Sequence, residues 1–363
     1  MSAPGSAMPA DPGPDLSTDP NPPDTAAARP PQLATPHPIT TGSAAAPAAP
    51  PDFAATAIRP AYETLPDAVR ARIAAELGGE PAAISIAGGG FTTGFAGRVR
   101  SAGGELFIKA AGPLTPEVRD AYRDEARVTA ALPPEIPAAK VRFHADIDDW
   151  TVTGFQALHG KPMTLPLHPD DLDRMLDAWA LTADALNPPP PALVASGIRP
   201  KTAENLSVFQ KIANGDTPPV PLPPKLQGRT ADLAAIETGI ERIFVTDQVT
   251  HGDLRPDNFF LGHDRAWICD WTKPRYTPPW VDTVNVLIIA NGDGHDADRL
   301  FWQHSTAEGV TADELDTALA AITGALLDGW DEAPARIVSP AIHGHMRWAA
   351  GAAADWLAQR RGW

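Results

Sequence analysis

The residues best able to do chemistry stand close together in the third quarter of the chain. His251-Gly252-Asp253-Leu254-Arg255-Pro256-Asp257-Asn258 carries carboxylates, a guanidinium and an amide, and Ile268-Cys269-Asp270-Trp271 follows with Asp270 twelve residues after Asn258. Carboxylate and amide oxygens are hard donors of the kind magnesium takes. Because magnesium keeps several waters, one or two carboxylates, an amide and phosphate oxygens suffice to hold it. A carboxylate can also take or orient a proton from a reacting hydroxyl. The plain alternative is a polar turn ahead of a strand, and the joint spacing of Asp253, Asn258 and a strand-borne Asp270 argues against it.

This stretch resembles the kinase catalytic loop and its metal-binding partner segment. With Gly before the Asp, where protein kinases usually carry Arg, it resembles the aminoglycoside phosphotransferase and choline-kinase-like families of small-molecule kinases. The resemblance implies that Asp253 faces the acceptor hydroxyl and that Asn258 and Asp270 hold Mg2+. Arg255 would neutralise charge on the transferred phosphate. Pro279-Trp280-Val281-Asp282 resembles the segment after the metal-binding strand, which makes Asp282 a support for the catalytic-loop backbone, with His251 in a like structural role. Trp271-Thr272 departs from the Phe-Gly of protein kinases. With Gly252 in place of Arg, the loop lacks the cation that would read an activation-loop phosphate, so activity without phosphorylation is expected.

Such a site makes demands upstream. A glycine-rich turn must cover the phosphates of ATP or GTP, and Gly88 to Val99 supplies one, with Gly90, Gly94 and Gly97 as nucleotide-binding candidates and Thr92 where the first glycine of the pattern would stand. A lysine on the next strand must grip the phosphates; Lys109 ends the apolar run Leu106-Phe107-Ile108-Lys109-Ala110. A glutamate on the following helix must fix that lysine. Val118, Tyr122, Glu125, Thr129 and Leu132 recur at helical spacing, so Glu125 lies on the less polar stripe and calls for a partner. Glu117 is its competitor, explained more simply by the helix dipole. Phe155 to Gly160 is assigned as the hinge that meets the purine.

The elements that must position these residues divide the chain. A helix is predicted over 65–77 with Gly78-Gly79 as its stop, then strands at 84–86, 98–101 and 106–110, and a helix from 116 to 132 with Thr115 as N-cap. Strands at 140–145 and 151–158 meet at the Asp148-Asp149 turn. Beyond 168 the pattern is helical, over about 170–186, 205–212, 231–245, 313–327 and 342–361, with short strands at 258–261 and 266–269. The expected fold class is α+β: a two-lobed, protein-kinase-like fold with a nucleotide-binding, β-rich lobe over 61–160 and a larger, mostly helical catalytic and acceptor-binding lobe over 161–363. Residues 1–52 hold 14 prolines and no aromatic residue, a composition that cannot offset its ordering entropy and reads as a disordered tail.

Composition narrows the partners. With 29 basic and 45 acidic residues the net charge is −16, which excludes non-specific grip on nucleic acid or an anionic membrane. Cys269 is the only cysteine, and a cytoplasmic setting with no membrane span is expected. Asn291 to Asp296 fails the calcium-loop template and reads as a polar turn. His343 and His345 read as helix residues that could line the acceptor site, and the tryptophans as core, with Trp280 able to reach the pocket. The expected function is transfer of the γ-phosphate of ATP or GTP to a hydroxyl of a small molecule such as an aminoglycoside, amino alcohol or sugar. The alternative is a nucleotide-binding pseudokinase that docks a partner.

Overall fold

The computed structural model describes residues 49–200, 203–328 and 335–363; most of the expected tail, residues 1–48, lies outside them. Helix α1 (Asp67–Leu77) stops at Gly78, which is left-handed at φ +69° and closes the last turn on Ala74 and Ala75. Strands β1 (Ala83–Ile86), β2 (Phe95–Arg100) and β3 (Glu105–Ala111) follow. Next come helix α2 (Pro116–Ala131) and strands β4 (Val141–Ile147) and β5 (Trp150–Gln156). The five strands form one antiparallel sheet in the order β1-β2-β3-β5-β4. Alternation along β3 sorts its side chains between two faces. Leu106, Ile108 and Ala110 join Val69, Ile73, Phe95 and Val152 in a core under α1. Lys109 therefore points the other way, toward α2.

One local expectation fails. Thr115 stands at the N-cap of α2, but its hydroxyl makes no capping bond. Its ψ of 66° departs from the extended geometry that aims a cap side chain at the first free N–H groups.

The rest of the chain is mostly helical. Strand β6 (Gly160–Pro162) leads to α3 (Pro169–Leu186), α4 (Pro191–Ala195), β7 (Arg199–Pro200) and α5 (Val208–Asn214). Then come α6 (Thr230–Glu237), α7 (Ile240–Ile243), β8 (Val249–Thr250), β9 (Phe259–Gly262), β10 (Ala266–Ile268) and β11 (Arg275–Tyr276). Helices α8 (Pro279–Gly292), α9 (Ala297–Gln303), α10 (Ala312–Leu327) and α11 (Ala341–Arg361) close the chain. Two small sheets, β10-β9-β6 and β7-β11-β8, carry the segments around the catalytic loop. Trp179, Leu287, Leu319 and Trp356 lie in one continuous apolar core, and the capping box of Thr311 and Glu314 starts α10.

Two helices depart from the periodicity. The predicted 231–245 helix breaks into α6 and α7 at Thr238-Gly239, where the Ile236 carbonyl accepts the Thr317 hydroxyl at 3.0 Å. Helix α8 carries no amphipathic signal at all: from Trp280 to Ala290 every side chain but Asn285 is buried, so no polar face marks its period. The α+β, two-lobed arrangement expected from the order of elements is the one observed.

Candidate active site

The catalytic loop, 251–258, joins β8 to β9. Gly252 takes φ +81°, and a Cβ there would lie 2.1 Å from the Lys273 carbonyl oxygen, so the position tolerates neither arginine nor any other side chain. Its N–H donates to Oδ2 of the buried Asp282 at 2.8 Å, and the Thr250 hydroxyl donates to the same oxygen. His251 is fully buried, edge-on to Trp271. Its Nδ1 accepts from the Asp253 N–H at 3.3 Å, and its Nε2 faces the Cys269 carbonyl at 2.9 Å. That pattern suits a tautomer with its hydrogen on Nε2, and it ties the catalytic loop to the hairpin beyond it.

Asp253 receives Arg255 Nη1 on Oδ1 at 2.7 Å and Lys273 Nζ on Oδ2 at 3.2 Å. Burial opposes its ionisation, but Arg255, Lys273 and His251 outweigh it and hold the carboxyl well below the usual range. Arg255 is gripped from its other side by Asp257, at 2.9 and 3.0 Å. Asn258 donates Nδ2 to the Asp253 carbonyl at 2.8 Å, which leaves its Oδ1 as an acceptor. The β9–β10 hairpin brings Asp270 back, with the Cys269 N–H on the Asn258 carbonyl at 2.8 Å. Asp270 is left-handed at φ +64°, a costly conformation for a residue with a Cβ and one that concentrates where geometry serves function. The lone cysteine is inert here: burial pushes its thiol up to about 12.

Lys109 crosses to this hairpin from β3. Its Nζ meets Glu125 Oε1 at 2.8 Å and Oε2 at 2.6 Å, lies 3.4 Å from Asp270 Oδ1, and sits 5.3 Å from the centre of the Tyr122 ring. Burial works against the ammonium, yet Asp270 and Glu125 raise it far above its ordinary value. Burial likewise pushes Glu125 up against the pull of Lys109; with both carboxylate oxygens on one ammonium, the ionised pair is the state this geometry favours. For Asp270, Lys109 overcomes burial and holds the carboxyl down. Glu117 takes no part, since it pairs with Arg336 instead.

The glycine-rich turn, between β1 and β2, is held by residues that spacing did not reveal. Arg59 donates Nε to the Ala87 carbonyl at 3.1 Å, Nη1 to that of Gly94 at 2.9 Å and Nη2 to that of Gly89 at 2.8 Å. Gly90 is left-handed at φ +94°, whereas Gly94 and Gly97 have packing reasons: a Cβ would strike the Tyr122 ring at 2.6 Å or the Ser85 carbonyl at 2.9 Å. At the tip, Phe91 accepts the Ser339 N–H at 2.7 Å, and Thr93 donates its N–H to Ile337 at 3.3 Å. The Phe91 ring lies under the Arg255 guanidinium at 5.4 Å and against His345 at 5.2 Å. His345 is thus a packing residue between Phe91 and Phe53, and burial lowers its imidazole to about 4.

Arg59, Phe91 and Lys273 are the site's neighbours that sequence reasoning missed; a lone arginine or phenylalanine in an irregular segment carries no pattern. The expected hinge, 155–160, runs from the end of β5 into β6, where Gly160 presses against the Leu261 carbonyl. Trp280 is core, edge-on to Phe301, and lines a surface depression with Asp184, Asn187 and Arg242 that contains none of the residues above. Asn291 and Gly292 end α8, Asp293 accepts the Leu167 N–H and Asp296 caps α9, so the polar interhelical turn is 293–296 and the expected 291–296 turn begins two residues late. No helix among the described residues is long and apolar enough to cross a membrane.

The APH phosphotransferase enzyme family matches residues 97–314, more than half of the chain. Curated proteins gave no match. Among solved structures, a thermostable mutant of aminoglycoside phosphotransferase APH(4)-Ia in ternary complex with AMP-PNP and hygromycin B is similar over 81% of this chain and 99% of its own, with 12% identity and TM-score 0.55. A second thermostable mutant of that enzyme, with ADP and hygromycin B, covers 81% and 98% at 12% identity and TM-score 0.53. The macrolide 2′-phosphotransferase MphH from Brachybacterium faecium covers 80% and 98% at 18% identity and TM-score 0.48. The two APH(4)-Ia structures share the fold.

Proposed function

The chain belongs to the phosphotransferase enzyme family, and from that premise we propose that it moves the γ-phosphate of ATP or GTP to a hydroxyl of a small molecule. The observation that carries the reading is the meeting of Lys109 and Glu125 with Asp270, residues 161 positions apart in the case of Lys109 and Asp270. An ammonium held charged beside a carboxylate suits a polyphosphate and its cation, since such catalysis is positioning plus charge neutralisation.

Asp253 faces the acceptor hydroxyl in this reading. With its carboxyl held ionised by Arg255 and Lys273, it orients the hydroxyl more than it competes for the proton in the ground state. The acceptor oxygen bonds to the γ-phosphorus, the bond to the bridging oxygen of the leaving diphosphate breaks, and the hydroxyl proton passes to Asp253 and on to solvent. Arg255 stands beside Asp253 to balance charge on the transferred group. Asp282 and His251 hold the loop's backbone, and Gly90, Gly94 and Gly97 let the turn lie close above the phosphates.

The donor set suits magnesium. Among the described residues no three His, Cys, Asp or Glu side chains form a cage, and magnesium beside phosphate needs none: Asp270 and the Oδ1 of Asn258, with phosphate oxygens and water, meet its demand for hard donors. When bound, the ion would neutralise phosphate charge. A lobe boundary near 160 is part of the same proposal: the apolar core of the five-stranded sheet lies wholly before it, while the helical core also draws Phe53, Val128, Leu132, Ile136 and Ala138 from that side; the loop around Gly252 needs no phosphorylation to be in place.

The test is a screen of hydroxyl compounds with ATP and with GTP, in which product mass shows phosphate on the acceptor. Transfer to at least one small molecule that requires Mg2+ supports the reading. Nucleotide binding with no transfer to any acceptor, or phosphate appearing only on protein, contradicts it.

A further inference from the structure

In a chain of net charge −16, one flank of Asp253 is basic. Lys273 Nζ lies 3.2 Å from Asp253 Oδ2. Two residues on, Arg275 sits at the centre of the β7-β11-β8 sheet, with Arg199 its neighbour on one side and Thr250 on the other. The Arg275 side chain packs beneath the catalytic loop, its Cγ 2.7 Å from where a Cβ of Gly252 would stand.

Arg275 is half-buried, yet among the described residues its guanidinium has no hydrogen bond and no ion pair. Burial, then the charge of Arg199, holds it below its ordinary value, with Asp253 pulling the other way. Arg199 is mostly exposed, and among the described residues the acid it reaches is Asp124 of α2, at 3.9 Å. Asp253 offsets this surplus only in part, because its charge is shared with Arg255 and Lys273. Like charges side by side on neighbouring strands are destabilising, and a partly buried cation without a partner is costly. An anion would relieve both, and arginine's planar fork suits carboxylate and phosphate alike.

We propose that Arg275 and Arg199 receive an anionic group carried by the acceptor, a carboxylate or a phosphate, so that its hydroxyl is presented to Asp253. The acceptor class is then a hydroxy acid or a phosphorylated alcohol rather than a polycationic sugar. This rests on the phosphotransfer reading of Asp253. The nucleotide's phosphates belong to the opposite flank, where Lys109, Asn258 and Asp270 stand.

The test is calorimetric titration of the full chain, loaded with ADP and Mg2+, with glycerate, glycerol 3-phosphate, glycerol and ethanolamine. At least one of the two anions should bind about tenfold or more tightly than glycerol or ethanolamine, as expected for a charge-assisted pair. That preference should fall about tenfold in Arg275→Ala and also weaken in Arg199→Ala, whose exposed side chain can be removed without loss of fold. Equal binding of the anions to wild type and both variants, or tighter binding of ethanolamine, overturns the proposal. So does a loss of ADP affinity in Arg275→Ala with anion binding intact, which would assign the cluster to the nucleotide. Release of ADP from ATP in wild type against Asp253→Ala is read separately. Anion binding that depends on Arg275 without turnover that depends on Asp253 breaks the phosphotransfer reading alone; Asp253-dependent turnover of cationic acceptors, indifferent to Arg275, breaks this inference alone.

Discussion

The catalytic loop and the glycine-rich turn face each other across the site but are held in opposite ways. The catalytic loop largely braces itself. Arg255 ties Asp253 to Asp257, Asn258 returns to the Asp253 carbonyl, and His251 reaches Cys269, all within about twenty positions. Among its hydrogen-bond partners in the described residues, only Asp282 comes from farther away, 30 residues on from Gly252. The glycine-rich turn has almost no bracing of its own. Its carbonyls are gathered by Arg59, 28 to 35 residues upstream, and its tip is pinned by Ile337 and Ser339 near the chain's end. In the proposed reaction, the loop that holds the reacting groups is braced from within, and the loop that covers the nucleotide is steadied from outside, by contacts that can part.

Breaking the internal bracing should have the larger effect. Asp282→Ala leaves the buried Thr250 hydroxyl without its acceptor, a loss of about 1–3 kcal/mol, and leaves the Gly252 N–H with the Thr250 oxygen, at 2.9 Å, in place of two acceptors. Displacement of Asp253 that follows should lower kcat by roughly 10²-fold, with nucleotide affinity little changed; steady-state kinetics with a thermal melt checks both. A normal kcat in a folded Asp282→Ala would show that the loop does not depend on its one distant brace.

Removing the external support should act on binding instead. Arg59→Ala frees the turn, so KM for the nucleotide should rise about tenfold, the equivalent of about 1.4 kcal/mol, while kcat at saturation stays within a few-fold. A fall in kcat with KM unmoved would mean that Arg59 positions the chemistry rather than the cover.

The smallest effect on catalysis sharpens the contrast by separating fold stability from loop placement. Glu237, buried on α6, accepts the Gln210 N–H at 2.8 Å through Oε2, while Oε1 has no hydrogen-bond partner among the described residues. Burial, against backbone hydrogen bonds, raises its carboxyl to about 7. The folded value lies above the unfolded one, so the folded state holds the proton more tightly. The stability this contributes is complete below the unfolded value, near 4.5, and is lost as pH rises toward about 7. Glu237→Gln should therefore flatten the melting profile between those limits and raise stability at pH 8 by roughly 1–3 kcal/mol, with kinetics at saturation unchanged. A profile as steep as that of wild type would assign the pH dependence elsewhere.

The same contrast explains what could be read from the residues alone. Asp253, Arg255, Asn258 and Asp270 were legible because the loop's bracing is local and so appears as fixed spacing. Lys109 was legible because the resemblance calls for a lysine on the strand after the glycine-rich turn, and Glu125 because helix periodicity put a carboxylate on the less polar stripe. Arg59 was not, since its partners are carbonyls, which leave no mark in side-chain pattern. Arg275 was hidden for a related reason: β11 is two residues long, too short for alternation to show. Gly94 and Gly97 were picked out for their glycines, but the close approaches of Tyr122 and Ser85 that require them appear only in three dimensions. Helix α8 escaped because it is buried nearly all round, and the break between α6 and α7 because the apolar spacing of Leu233, Ile236, Ile240 and Ile243 runs across it.

The most direct test of the whole account is turnover and nucleotide binding measured side by side in Asp253→Ala. With the loop still tied by His251, Asn258 and Asp282, the nucleotide should bind with affinity close to that of wild type, while phosphate transfer falls by roughly 10²–10⁴-fold, the range for loss of a positioned acid–base group. Turnover equal to that of wild type in this variant would remove Asp253 from the chemistry and with it the account given above.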